Sequence, residues 1–154
     1  MVVHKRPDRT LGHGNDTFWA WCDRQELRLP RCTGCHTLAW PIEAACTTCG
    51  GEGFAWERLS GRGAIASWCT FERDYYQGQF PMPWDCILVE LEEGPLFIAN
   101  PAGMTGQGMR LGLPVRLAFL GCEDEAGPFN LPVFETDERA DRPARSHPTE
   151  ELIP

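Results

Sequence analysis

Apolar and polar positions follow two different rhythms along this chain. From residue 64 onward the apolar residues fall into short runs of strand length, separated by turn residues. Ala64-Ile65-Ala66-Ser67-Trp68-Cys69-Thr70-Phe71 is the first, and Cys86-Ile87-Leu88-Val89-Glu90-Leu91-Glu92 the second. The turn Glu93-Gly94-Pro95 leads to Leu96-Phe97-Ile98-Ala99, the third. Val115-Arg116-Leu117-Ala118-Phe119-Leu120 alternates as a fourth, and Leu131-Pro132-Val133-Phe134 is a short fifth. Pro132 has no N–H to donate, which suits a barrel edge. A Gly-rich interruption from Gly103 to Gly112 precedes the fourth strand. Five strands of uneven length with such a break match a small Greek-key barrel of the OB type. Strand count alone leaves another small barrel or sandwich open.

Before residue 60 the pattern differs. Residues 1–14 are polar and Gly-bearing, as in an extended arm. Asn15 or Asp16 is placed to cap a short helix, since its side-chain oxygen can accept from free backbone N–H groups. Phe18, Trp19, Trp21 and Cys22 follow as a bulky apolar patch on about three turns. Such a patch either packs on the chain's own core or docks onto a partner. Leu27-Arg28-Leu29 alternates as a short strand. Two tight cysteine pairs come next, Cys32-Thr33-Gly34-Cys35 and Cys46-Thr47-Thr48-Cys49. Two C-x-x-C knuckles this close can set four thiolates around one tetrahedral metal ion. Four thiolates leave no position for water or substrate, so such a site builds structure and performs no hydrolysis. Gly50-Gly51 suits a turn that aims backbone amides at sulfur. A module of this size buries little, so metal binding is expected to supply much of its folding energy.

The remaining chemistry is sparse. The 154 residues carry a formal charge of -8, and Lys5-Arg6 is the only adjacent basic pair. An acidic chain is repelled by phosphate backbones, which argues against nucleic acid and anionic membrane surfaces. No signal-peptide core follows the first residues, and no run approaches the ~18 apolar residues of a membrane span. A cytoplasmic location is expected, where paired cysteines bind metal more often than they form disulfides. Cys22, Cys69, Cys86 and Cys122 are scattered and read as small buried apolar residues. Arg73 to Trp84 is a loop with Tyr75, Tyr76, Phe80 and Trp84. These rings either cover one end of the barrel or present a binding surface, and their place in a loop favours the latter. Thr136 to Pro154 is rich in Asp, Glu, Arg and Pro and is expected to be disordered without a partner. No phosphate-binding loop, Ser-His-Asp order or H-E-x-x-H pattern occurs, so no catalytic residue is assigned.

The order of these parts is itself a signature. Phe18-Trp19 runs into Glu26-Leu27-Arg28-Leu29-Pro30-Arg31-Cys32. The two knuckles, Trp56 and Ser60-Gly61-Arg62-Gly63 follow. Further on come Val89-Glu90-Leu91-Glu92-Glu93-Gly94-Pro95 and Leu111-Gly112-Leu113-Pro114-Val115. Over residues 15–135 the chain resembles a bacterial and archaeal family first catalogued as a domain of unknown function, a rubredoxin-like zinc ribbon joined to an OB-fold. The fold class expected is therefore mainly β, with an N-terminal helix, a ribbon and a five-stranded OB barrel. The division is 1–26 arm and aromatic helix, 27–59 ribbon, 60–135 OB-fold and 136–154 flexible acidic tail.

The resemblance implies a non-catalytic partner of thiolase-fold enzymes acting on acyl-CoA thioesters. Such complexes include retro-aldolases of steroid side-chain degradation, acyltransferases and condensing enzymes. It also implies Cys32, Cys35, Cys46 and Cys49 as ligands of zinc, with iron as the other candidate, and a hetero-oligomer with a thiolase-fold subunit. Phe18, Trp19, Tyr75, Tyr76 and Phe80 are the candidate contacts to partner or substrate. Two departures from the family's pattern stand in the knuckles. His36 occupies a place where many ribbons have Gly, and Thr47 one where Pro is common. With four thiolates sufficient, His36 reads as a bystander with local strain. The competing readings are an OB-fold nucleic-acid module, which the acidic balance opposes, and a rubredoxin-like electron carrier holding iron.

Overall fold

The computed structural model describes residues 4–79 and 81–140. Of the sequence expectations, Phe80 and residues 141–154 of the tail lie outside the described residues. Among the described residues the fold is mainly β with one α-helix, as expected. A two-residue strand β1 (His4–Lys5) precedes the helix α1 (Asn15–Asp23). A two-stranded ribbon follows, β2 (Arg28–Cys32) against β3 (Phe54–Arg58), antiparallel with Cys32 opposite Phe54. The barrel strands are β4 (Arg62–Phe71), β5 (Trp84–Leu91), β6 (Leu96–Pro101), β7 (Pro114–Asp124) and β8 (Gly127–Thr136).

Strand pairing runs β7-β4-β5-β6-β8, and β8 pairs back onto β7, so the sheet closes. The β6–β8 contact is parallel and short, Asn100 with Val133 and Pro101 with Phe134. The other barrel contacts are antiparallel, and a bulge between Ile65 and Ser67 bends β4 so that the small sheet can curl. The strands are longer than the apolar runs suggested, because β7 and β8 continue as a hairpin through Asp124 and Gly127. Pro132 sits opposite Phe119 on β7, one residue before β6 begins to pair with β8 at Val133. A residue without an N–H is thus placed where one neighbour strand is missing.

Alternation sends Ile65, Ile87, Val89, Leu91, Phe97, Val115 and Phe134 into one core, each at most 3% exposed. Phe18 of α1, Trp40 of the ribbon and Phe97 of β6 join it: the Phe18–Trp40 and Trp40–Phe97 centroids are each 5.0 Å apart. Helix, ribbon and barrel are therefore bonded through one aromatic cluster.

Three details differ from the sequence expectation. Gly14, not Asn15 or Asp16, is the N-cap of α1, with φ of 81°. Asn15 Nδ2 donates instead to the Gly12 carbonyl (2.8 Å), and the Asp16 carboxylate accepts from the Gly12 N–H (3.2 Å), closing the turn before the helix. The N-terminal arm is pinned: His4–Lys5 pairs in parallel with Cys122 and Glu123, and Arg9 bonds the fully buried Asp124 side chain at 3.1 Å. The tail is ordered at its start, since Thr136 ends β8, and Asp137 is 7% exposed with its N–H donating to the Pro114 carbonyl (2.9 Å).

Candidate metal centre and contact surface

The ribbon brings all four predicted ligands together. The Sγ atoms of Cys32, Cys35, Cys46 and Cys49 lie within 4.8 Å of one another. Cys32 to Cys49 is 3.6 Å and Cys35 to Cys46 is 3.5 Å. A tetrahedron with metal–sulfur bonds of about 2.3 Å has sulfur–sulfur edges of about 3.8 Å. Four sulfurs at this spacing fit a metal ion and leave no open coordination position.

The two knuckles repeat one backbone device. In the first, the His36 N–H donates to the Cys32 carbonyl (3.0 Å); in the second, the Gly50 N–H donates to the Cys46 carbonyl (2.7 Å). Both residues end that turn in the left-handed region, with φ of 61° at His36 and 72° at Gly50. His36 thus stands at the structural counterpart of Gly50, which explains the strain read from the sequence. Amides face sulfur as expected: the Gly34 N–H lies 3.4 Å from Cys32 Sγ, and the Gly51 amide bonds Cys49.

The electrostatics point the same way. The Thr37 hydroxyl, 3.4 Å from Cys35 Sγ, and the Thr37 amide pull the Cys35 thiol down to about 6. The Cys35 and Gly34 amides pull Cys32 below its ordinary value. The Gly51 amide pulls Cys49 down too, but the three neighbouring sulfurs and burial outweigh it and push Cys49 up to about 11. One small volume ionises its first thiols easily and its last with difficulty, so four thiolates there call for a cation. Thr37 was not singled out from the sequence, because a lone threonine carries no signal until the fold sets it beside a sulfur.

The predicted contact residues separate. Phe18 is 3% exposed and belongs to the core, so the packing alternative describes it. Trp19 is half-buried: its Nε1 donates to the Thr10 carbonyl (3.0 Å) and its ring meets Phe129 edge-on at 5.3 Å. Tyr75 and Tyr76 are 63% and 41% exposed on a loop held by Asp74, whose carboxylate accepts from the Tyr76 and Gly78 N–H groups. Trp84 is not in that loop but opens β5, stacked on Phe71 of β4 at 4.2 Å.

These rings continue an apolar strip along the outer face of β4, β5 and β6. Alternation places Phe71, Trp84, Cys69, Cys86, Leu88 and Ile98 there, and Ile98 is 68% exposed. The strip borders a shallow groove of about 390 Å³ with Phe18, Trp19, Trp40 and Pro132 in its walls. Sequence held a signal for this: Ile87-Leu88-Val89 and Phe97-Ile98-Ala99 are continuous apolar runs, which mark strands covered on both faces. Of the four scattered cysteines, Cys22 and Cys122 are buried as expected, whereas Cys86 is half-buried and Cys69 is exposed. Among the described residues no helix is long and apolar enough to cross a membrane.

Comparison with known proteins gives the arrangement a family. Residues 19–55 match the rubredoxin-like zinc ribbon domain of ChsH2, and residues 56–120 match the ChsH2 C-terminal OB-fold domain. A probable enoyl-CoA hydratase alpha subunit of Thermomonospora curvata is 30% identical over 84% of this chain. The chain spans only 39% of that relative's length. A DUF35 domain-containing scaffold protein of Pyrococcus furiosus is 26% identical over 61% of this chain and 70% of its own. Among solved structures, a chain of the Ltp2-ChsH2(DUF35) aldolase superposes with a TM-score of 0.75 at 27% identity, covering 84% of this chain and 98% of that one. A DUF35 protein of Sulfolobus solfataricus shares the fold, with a TM-score of 0.56 at 11% identity over 82% of this chain and 87% of that one. Two abutting domain matches, four clustered sulfurs and a closed five-stranded barrel agree: the chain belongs to the DUF35 family of ChsH2-type proteins, a zinc ribbon joined to an OB-fold.

Proposed function

We propose that this protein is a non-catalytic accessory subunit of a thiolase-fold enzyme acting on acyl-CoA thioesters. The observation that carries the reading is the likeness over nearly the full length of a chain solved in the Ltp2-ChsH2(DUF35) aldolase. The relatives' names, a scaffold protein and a hydratase subunit, agree with a supporting role. In this reading Cys32, Cys35, Cys46 and Cys49 hold zinc, which fixes the ribbon against Phe18, Trp40 and Phe97. The metal is structural because its sphere is filled by sulfur. Residues 27–59 act as the ribbon and 60–135 as the barrel. The outer strip with Tyr75, Tyr76 and the Phe71–Trp84 pair contacts the partner, since exposed contiguous aromatic surface marks such contacts. The partner carries the C–C bond chemistry, with retro-aldol cleavage of steroid side chains the specific reaction proposed, and the complex works in the cytoplasm.

The test is affinity isolation of the tagged chain from its native host, read by mass spectrometry. A stoichiometric thiolase-fold protein is the expected companion. Recovery of the chain alone, or with nucleic-acid-associated proteins, overturns the reading. Robust turnover of acyl-CoA thioesters by the purified chain would also overturn it.

A further inference from the structure

Two of the cysteines outside the ribbon face each other. Cys69 of β4 and Cys86 of β5 are register partners in an antiparallel pair. Their neighbours hold that register on one side, where the Thr70 hydroxyl donates to the Asp85 carboxylate at 2.5 Å and Phe71 stacks on Trp84 at 4.2 Å. On the other side, Trp68 lies opposite the buried Ile87. Directly opposed residues put their side chains on one face, with Cα atoms about 4.5–5.5 Å apart. A disulfide bridges Cα atoms about 4.4–6.8 Å apart, so the backbone needs no movement to close one. Solvent reaches Cys69, while Cys86 is half-buried and its thiol is held above the ordinary range by burial and then by Cys69. Neither Cys22 nor Cys122 has such a partner, since both are sealed in the core and neither has a cysteine across the sheet.

We propose that in the chain free of a partner Cys69 and Cys86 form a reversible cross-strand disulfide, making the outer face of the barrel a site of thiol oxidation before assembly covers it. With a peroxide as oxidant, the Cys69 thiolate attacks one peroxide oxygen. The O–O bond breaks, the sulfur becomes a sulfenic acid, and the departing oxygen takes a proton and leaves as water (or as an alcohol from an organic peroxide). The Cys86 sulfur then attacks the sulfenic sulfur. The S–S bond forms, the S–O bond breaks, and the hydroxyl leaves with the Cys86 proton as a second water. The two thiols give two electrons to the peroxide, and a dithiol reductant returns them. The bond closes the base of the loop that carries Tyr75 and Tyr76.

The chain itself supplies a clean readout. Cleavage after Arg62, Arg73 and Arg110 puts Cys69 in peptide 63–73 and Cys86 in peptide 74–110. The zinc-loaded full chain is treated with hydrogen peroxide, its remaining thiols are alkylated, and it is digested without reductant. The expected product is these two peptides linked, separating on dithiothreitol, with zinc retained. In Cys69→Ser the link is lost and Cys86 is recovered alkylated. Over-oxidised Cys69 beside a free Cys86 would overturn the proposal. So would zinc release by oxidised ribbon cysteines while Cys69 and Cys86 stay reduced.

Discussion

Gly63→Ala tests why the Ser60-Gly61-Arg62-Gly63 segment has the residues it has. Gly63 is the second residue of β4, opposite Leu91 on β5 and Val115 on β7. A Cβ added there falls 2.5 Å from the Glu90 carbonyl oxygen and 2.7 Å from Val89 Cγ1. Both obstacles are fixed: the oxygen is backbone in a paired strand, and Val89 is fully buried in the core. Carbon and oxygen in the C–H···O contacts between strands lie about 3.3–3.6 Å apart, so β4 must retreat by most of an ångström. Overpacking of this kind costs about 1–3 kcal/mol. Loosening the adjacent ladder bond adds about 1 kcal/mol. The expected loss is about 2–4 kcal/mol, a fall in Tm of roughly 4–16 °C at the ~2–4 °C per kcal/mol of a chain this size. Gly121→Ala is the matched control, because nothing lies within 4 Å of its added Cβ and its φ is not positive. Thermal or urea unfolding of the zinc-loaded chain followed by circular dichroism measures both. Gly63→Ala within about 0.5 kcal/mol of the parent, the scatter of an ordinary surface substitution, would refute the steric account.

Three further outcomes follow from the same geometry. Cys32→Ser is expected to lose metal and melt at least the ribbon, since closed four-thiolate sites supply folding energy; a full metal complement by elemental analysis, with unchanged stability, would remove Cys32 from the ligand set. His36→Gly is expected to stabilise the protein by up to about 1 kcal/mol, because it relieves a left-handed non-glycine backbone, and Gly50→Ala to destabilise it by about as much; equal and null effects on the unfolding midpoint would mean that the knuckle turns carry no strain. Replacing Tyr75 and Tyr76 together by Ala is expected to weaken partner binding at least tenfold with Tm nearly unchanged, since both rings are exposed and hot-spot tyrosines cost more than 1 kcal/mol; a lowered Tm with intact binding, by calorimetry against the isolated partner, would return these rings to a structural role.

The amino-acid sequence determined whatever is written in local spacing. C-x-x-C pairs are sequence-local, because a knuckle is one backbone turn, so the clustering of these four sulfurs was legible before any fold. Strand existence was legible too, because alternation is local, and the apolar runs of residues 64–71, 86–91 and 96–99 all lie in strands, with Glu92 already in the turn that follows β5. Tertiary structure decided whatever depends on what lies opposite. Phe18 and Trp19 are neighbours in one aromatic patch, yet the helix turns one into the core and leaves the other at its rim. His36 looked like a departure from pattern, and only the paired turns show it to be the counterpart of Gly50. The helix cap passed to Gly14 because the chain enters α1 through a left-handed turn, which side-chain preference at Asn15 or Asp16 does not encode. Cys69 and Cys86 are separated by a loop along the chain and stand opposite each other in the barrel. A residue's identity fixes the chemistry it can offer, but strand register and helix phase fix which neighbour receives it. Those are set by the packing of the whole core and not by any local segment.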